Sequence, residues 1–495
     1  MAYGAVLAST RAARADTHEE ETRPNILLIV SEDNGPELGC YDEPHVKTPI
    51  LDRLAKRGVR FSQAYVAQPG CSPSRASLLT GLYPHQNGQI GLSTWEFEMF
   101  REDTPNIVRS LNGAGYRTGI IGKVHVNPAS AFPFQFAKIP SANFERESLD
   151  QYADVAADFF SEGDEPFFLS INYPEAHRPF HKQVDGRPAD PLIDEEIKPL
   201  RYIGLDSPKL RTDTRDYYNC MARLDELVGD LLTELETSGK ADNTLVVYIG
   251  DHGADLLRGK RTPYEGGVKV PMIISWPGPM QSGQIREELV SLVDLVPTFL
   301  EAAQAEPIEG LPGRSLLPLI RGEDVASRDY LFTEYHVHSA HNYYPQRTVR
   351  DKRFKLIWNL LPGEVNPGYD FTVKRFYGTE EIDTALAGAP EEVQDAYKLM
   401  RSPPEFELYD LQNDPYEFRN LAENFTHSGK LRELKERLLT WRKETKDPFL
   451  NHESVLRLQS EIATIYKDGE YSDQRDSWGY VRYMAPVSEG DRARP

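Results

Sequence analysis

Two short aliphatic runs constrain this chain more than any other feature. Asn25-Ile26-Leu27-Leu28-Ile29-Val30 and Thr244-Leu245-Val246-Val247-Tyr248-Ile249 contain no charged side chain. A strand with one wet face alternates polar and apolar residues. An unbroken aliphatic run of this length fits a strand covered on both faces. Each run leads directly into acids: Ser31-Glu32-Asp33-Asn34-Gly35 after the first, Gly250-Asp251-His252-Gly253 after the second. Ligands of open α/β sheets bind beyond the carboxyl ends of the strands. The pattern therefore predicts two acidic pairs delivered to one rim, where carboxylate oxygens suit Ca²⁺ or Mg²⁺. Taken alone, Asp33 and Asp251 are equally explained as turn-forming residues.

The intervening segments continue the alternation. Thr48-Pro49 opens a helix that Gly58 stops, and Val59 to Val66 reads as a strand. Residues 105–113 are helical by pattern. Arg117 to Ile121 and part of Pro166 to Tyr173 are strands. Arg211 to Ser238 carries an apolar stripe through Leu224, Leu227, Val228, Leu231, Leu232 and Leu235, as one long helix should. Val270 to Trp276 is a further strand. The expectation is an α/β fold with a large, mostly parallel sheet flanked by helices.

After about residue 340 the texture changes to aromatic-rich segments, Phe354 to Trp358 and Phe406 to Tyr409, separated by turns. These predict a smaller C-terminal subdomain with an antiparallel sheet, followed by a helix over about 429–445. The expected organisation is a leader or disordered segment over 1–23, a catalytic domain over 24–340, the subdomain over 341–450, and an extension over 451–495 that wraps the surface or frays.

The net charge of −21 excludes nucleic acid as a natural partner. Three cysteines, Cys40, Cys71 and Cys220, are too few for a disulfide framework. No apolar run reaches membrane-spanning length. Near the start, a short apolar piece (Ala5 to Ala8) and Ala13-Arg14-Ala15 fit a truncated export signal or a disordered leader, since the basic start of a signal peptide is missing.

The chemistry centres on Gln68-Pro69-Gly70-Cys71-Ser72-Pro73-Ser74-Arg75-Ala76-Ser77-Leu78-Leu79-Thr80-Gly81. Pro73 suits a first helical turn, Ala76, Leu78 and Leu79 propagate it, and Gly81 ends it. Cys71 then lies at a helix N-terminus, where free N–H groups favour an anion. Arg75, one turn on, returns a guanidinium fork toward the same end. A buried structural cysteine is the alternative.

Cys71-Ser72-Pro73-Ser74-Arg75 resembles the Cys-x-Pro-x-Arg signature of the type I sulfatases. The resemblance implies an alkaline-phosphatase-like sandwich and oxidation of Cys71 to formylglycine by a formylglycine-generating or anaerobic sulfatase-maturating enzyme. The hydrated aldehyde is then the nucleophile. It implies a divalent metal held by Glu32, Asp33, residue 71, Asp251 and His252. The family usually has Asp-Asp and Asp-Asn at the two pairs, so Glu32 and His252 depart from it. His252 either ligates the metal or bonds the substrate.

Gly122-Lys123-Val124-His125 is similar to the family's Gly-Lys-x-His, and Gly259-Lys260-Arg261-Thr262-Pro263-Tyr264-Glu265-Gly266-Gly267 to its Gly-Lys-x-x-x-Tyr-Glu-Gly-Gly. By that likeness Arg75, Lys123 and Lys260 neutralise sulfate oxygens. Asp251 orients or deprotonates the nucleophilic hydroxyl, His177 protonates the leaving atom, and His125 takes the second hydroxyl proton so that sulfate leaves.

Within the family the chain is most similar to the heparan N-sulfatases (N-sulfoglucosamine sulfohydrolases). The likeness runs over residues 24–450. It is sharpest at Cys71 to Leu82, His85 to Gly88 and Arg117 to Lys123, and Pro133 to Phe136 and Trp441 to Pro448 also fit. That group tends to have Arg where this chain has Lys260, so N-sulfate and O-sulfate both stay open. The implied partner is a sulfated saccharide: heparan N-sulfoglucosamine, or ulvan, carrageenan or fucoidan. A surface this acidic needs a locally basic site to receive it, and such a polymer implies a periplasmic or secreted enzyme. His336, His338, His341 and Arg347 form a His/Arg cluster expected to read the sugar or to be plain loop residues. The alternatives are a phosphate or phosphonate monoester hydrolase of the same superfamily and a non-catalytic binding relative.

Overall fold

The computed structural model describes residues 23–194, 197–467, 470–471 and 478–486. Almost the whole of the expected leader lies outside them.

Nine strands form the large sheet: β1 (Asn25–Ser31), β2 (Val59–Tyr65), β3 (Arg117–Ile121), β4 (Phe136–Lys138), β5 (Phe167–Tyr173), β6 (Thr244–Gly250), β7 (Lys269–Ser275), β8 (Gln284–Arg286) and β9 (Val290–Ser291). They run in the order β4-β3-β5-β1-β6-β7-β2-β8, with β9 also on β2. β7 is antiparallel to both its neighbours, and every other pairing is parallel.

The two aliphatic runs sit at the centre for the reason their composition gives. On one face of β1, Leu27 and Ile29 pack with Leu224, Leu227 and Leu231 of the Pro208–Thr237 helix. On the other, Ile26, Leu28 and Val30 pack with Leu78 and Leu79 of the Cys71–Thr80 helix and with Val296 and Phe299. Each aliphatic side chain taken fully out of water contributes roughly 1.5–3 kcal/mol, so both faces drive this strand inward.

Register places the site. Ser31 of β1 pairs with Tyr173 of β5 and with Gly250 of β6, and Ile121 of β3 pairs with Ile171 of β5. Four adjacent strands thus end at one rim, and each is followed by a sequence-predicted site segment. The loops there are packed closely. A Cβ on Gly250 would lie 2.0 Å from the Asn34 carbonyl oxygen, so only glycine lets the two acidic turns approach.

The second sheet is antiparallel, in the order β10 (Leu331–Tyr335), β11 (Gln346–Arg350), β12 (Phe354–Asn359), β13 (Phe406–Asp410). Its first strand precedes the expected boundary at 340. Glu334 and Tyr335 sit in an ordinary strand that the turn-rich 336–345 had masked. The Ser428–Glu444 helix covers this sheet through Leu434, Leu438 and Trp441. The extension does more than wrap. His452–Ile465 is a helix burying Val455, Leu458, Ile462 and Ile465, and Trp478 stacks on Phe97 at 4.2 Å between ring centroids. No helix among the described residues is long and apolar enough to cross a membrane.

Candidate active site

Cys71 is the first residue of its helix, with Gly70 as N-cap and Gly81 closing the far end in the left-handed region. Its thiol is buried, and its Sγ lies 3.3 Å from His252 Nε2. Burial pushes the thiol pKa far above its usual range, outweighing Lys260 and Lys123 nearby. An unmodified Cys71 is therefore a neutral thiol and a poor nucleophile.

Arg75 organises the rim. Its Nε donates to Asp251 Oδ2 at 3.1 Å and its Nη1 to Asn172 Oδ1 at 2.7 Å, while Nη2 stands 3.6 Å from Glu32 Oε2. Lys123 Nζ donates to Glu32 Oε1. Lys260 Nζ bonds both oxygens of Asp33, at 2.9 and 3.0 Å. The Asp33 backbone N–H donates to Asp251 Oδ1 at 2.9 Å, tying the two acidic turns together. Three carboxylates thus interleave with three cations, all buried.

Burial raises the Glu32 carboxyl, but Lys123 and Arg75 outweigh it and hold the group well below its ordinary range. Asp33 is raised to about 6, because burial there exceeds the pull of Lys260 and His252.

His252 Nδ1 donates to the Gly253 carbonyl oxygen at 3.0 Å. A carbonyl only accepts, so in the neutral ring Nε2 carries the lone pair. Nε2 faces Asp33 Oδ1 at 3.3 Å and Asp251 Oδ1 at 3.6 Å. Ligand atoms of Asp33, Cys71 and His252 lie within 4.8 Å of one another, as do those of Glu32, Cys71 and Asp251, and those of Glu32, Asp33 and His177. This donor set fits a single divalent ion: three acidic oxygens, one imidazole nitrogen whose lone pair faces them, and residue 71.

Two further histidines face the centre. His125 has a left-handed backbone (φ 58°), and its buried Nδ1 has no hydrogen-bond partner among the described residues. Burial and then Lys123 hold its pKa well below the usual value, so the ring is neutral. His177 follows β5. Its Nδ1 donates to the Arg178 carbonyl oxygen at 2.6 Å, which leaves Nε2 free. Burial first, then Lys260, lowers its pKa to about 3.

The His/Arg cluster does not act as one. Arg347 is fully buried and donates from Nε and Nη2 to the two oxygens of Asp447, at 2.9 and 2.8 Å. His336 is fully buried between Arg347 Nη2 and the Gln68 side chain, at 2.9 Å from each. Neither has a face for a sugar, so their expected substrate role is corrected. They brace the loop that leads to Cys71. The reason is local: β11 is buried throughout, so a charge at Arg347 must be paired inside. His338 does reach the site. Its Nδ1 sits 3.2 Å from where a Cβ on Gly70 would be and has no hydrogen-bond partner among the described residues. His341 stacks on Phe371 at 3.7 Å and turns its edge to Trp95.

Several residues of the site were not anticipated. Asn172 left a signal, a polar residue near the end of the otherwise apolar Phe167-Phe168-Leu169-Ser170-Ile171-Asn172-Tyr173. Asp255, which pairs with Arg261, and Arg178, bonded to Asp213 and Tyr377, are joined only by the fold and left none.

The sulfatase profile matches residues 24–305, more than half of the chain, and a profile described as N-sulphoglucosamine sulphohydrolase, C-terminal, matches residues 250–372. Human N-sulphoglucosamine sulphohydrolase is 32% identical over 468 residues, covering 86% of this chain and 91% of the human protein. An ulvan-active sulfatase of Formosa agariphila is 29% identical, covering 86% and 81%. Among solved structures, a 2-O GAG sulfatase aligns with a TM-score of 0.67 at 23% identity, covering 86% of this chain and 93% of that one. The two sheets and their flanking helices are the alkaline-phosphatase-like architecture that the motif implied. With the sulfatase profile matched over more than half of its length and 32% identity to the human enzyme over most of both chains, the chain belongs to the sulfatase family of sulfate-ester hydrolases.

Proposed function

We propose that this sulfatase removes sulfate from a sulfated saccharide, with heparan N-sulfoglucosamine as the first candidate, through residue 71 converted to formylglycine and one divalent ion. The observation that carries this reading is the meeting of Cys71, Asp33, Asp251 and His252 with Arg75, Lys123 and Lys260 at one rim. The similarity to human N-sulphoglucosamine sulphohydrolase supports the substrate class.

When present, the hydrated aldehyde supplies the nucleophilic hydroxyl and a Ca²⁺ or Mg²⁺ ion supplies charge toward the sulfate oxygens. Glu32, Asp33, residue 71, Asp251 and His252 would hold the ion. The three cations and three carboxylates cancel, so a divalent charge leaves a local surplus that draws a sulfate group into an acidic protein. Arg75, Lys123 and Lys260 then bind the sulfate oxygens. Asp251 accepts a hydrogen bond from the attacking hydroxyl. His177, once the sulfate's negative charge favours the imidazolium and Nε2 has gained a proton from solvent, delivers that proton to the leaving oxygen or nitrogen, and His125 takes a proton from residue 71 as sulfate departs.

The test is sulfate release from a defined panel containing N-sulfated glucosamine and O-sulfated heparan, ulvan, carrageenan and fucoidan fragments, with aryl phosphate alongside aryl sulfate. Release from a saccharide with sulfate preferred over phosphate is expected. Preference for phosphate, or no release from any member by the converted protein, overturns the reading.

A further inference from the structure

Residues 139–148 carry no motif, yet they place an aromatic ring in the site. Phe144 stacks on the His177 imidazole with ring centroids 3.8 Å apart and planes 9° from parallel. The same ring lies 5.0 Å from Lys123 Nζ, within cation–π range. It therefore touches two groups to which the chemistry is assigned.

The contact is built rather than incidental. Arg146 is 1% exposed and donates to the carbonyl oxygens of both Phe144 and His177. One guanidinium ties the backbones of the two stacked residues together. Glu175 Oε1 holds Arg146 Nε at 3.3 Å, and Arg223 of the long helix grips the same oxygen at 2.7 Å. Asn143 and Arg146 adopt the left-handed region (φ 50° and 56°), which residues with a Cβ enter only at a cost. That cost is met by a fully buried ion-pair network, the usual setting for backbone kept in a sparse region.

The ring supplies what the hydrogen bond cannot. The bond from His177 Nδ1 to the Arg178 carbonyl fixes one nitrogen, but the imidazole still tilts about it. A parallel ring at van der Waals distance fixes the plane, and with it the direction of Nε2. Proton transfer depends steeply on that alignment. We propose that Phe144 is the positioning residue that holds His177 in the plane from which Nε2 serves the leaving atom, an inference that rests on His177 being the general acid. As the bond from sulfur to that atom breaks, the atom keeps the electron pair and takes a proton from Nε2 of the imidazolium; the neutral ring holds its one proton on Nδ1, so Nε2 first gains this proton from solvent as the anionic sulfate group enters.

The test compares Phe144→Leu, Phe144→Tyr and His177→Asn with wild type on nitrophenyl sulfate, a good leaving group, and phenyl sulfate, a poor one. A proton donor matters most for the poor leaving group. Phe144→Leu should lose about tenfold or more in kcat on phenyl sulfate and under about threefold on nitrophenyl sulfate, and Phe144→Tyr should restore both. The Phe144 side chain is half-buried, so its loss leaves the core intact. Equal loss on both substrates, or none on either, overturns the proposal. If His177→Asn is itself unselective, the general-acid reading fails and the proposal falls with it. If His177→Asn is selective and Phe144→Leu is not, only the role of Phe144 is wrong.

Discussion

Cys71 Sγ and His252 Nε2 stand 3.3 Å apart, and the imidazole reaches that position with its lone pair forward because Nδ1 is spent on Gly253. A nitrogen donor at this point is unusual company for Ca²⁺, which prefers oxygen. Metal analysis of the purified protein should show one divalent ion per chain. His252→Ala should lose it to a chelator concentration that wild type withstands. Equal retention in the two proteins would remove His252 from the ligand set.

Arg75 holds Asp251 and Asn172 at once and still points Nη2 into the centre. Lysine cannot reproduce that fork. With residue 71 equally converted, Arg75→Lys should lower kcat on an aryl sulfate by about 10²–10³-fold and leave the melting temperature within a few degrees. A change in KM alone would show that Arg75 only binds.

Arg347 was expected to read substrate, and the structure gives it to Asp447. Breaking a buried ion pair from one side costs about 3–5 kcal/mol. Arg347→Ala should therefore depress the denaturant midpoint sharply, while the KM of the surviving folded fraction stays within about twofold of wild type. A raised KM at full stability would restore the substrate role.

Glu334 gives the clearest pH signature. Burial raises its carboxyl, but His85, Arg347 and His336 outweigh burial and lower its pKa to about 2, from an ordinary 4.5. A carboxyl depressed by folding adds stability that is complete above its unfolded pKa and disappears as pH falls through its folded one. The contribution is at most about 3 kcal/mol and is lost between about pH 4.5 and pH 2. In Glu334→Gln the protein should be less stable at neutral pH, and the gap from wild type should close across that window. A gap that stays constant with pH would mean the loss is one of packing.

Much of this was legible in the chain. The central strands declared themselves because parallel strands buried on both faces need continuous aliphatic runs, and Asn25–Val30 and Thr244–Ile249 are such runs. Their register then brings Glu32, Asp33, Asp251 and His252 together, so motifs far apart in sequence share one rim. Arg347 and His336 misled because a charged residue in a turn-rich stretch looks exposed. Only the pairing of β10 with β11, and Asp447 arriving from beyond the Ser428–Glu444 helix, shows that they are inside. Phe144, Arg146 and Glu175 could not be seen as a unit, since a stack and a buried ion pair between separate loops leave no period and no spacing.

Residue 71 is where the account stands or falls. Mass spectrometry of its peptide, on samples ranging from unconverted to fully converted, should be set against sulfate release by the same samples. Turnover should rise in proportion to the aldehyde fraction and vanish in Cys71→Ala, with the melting temperature unchanged. Turnover independent of that fraction, or retained in Cys71→Ala, would contradict it.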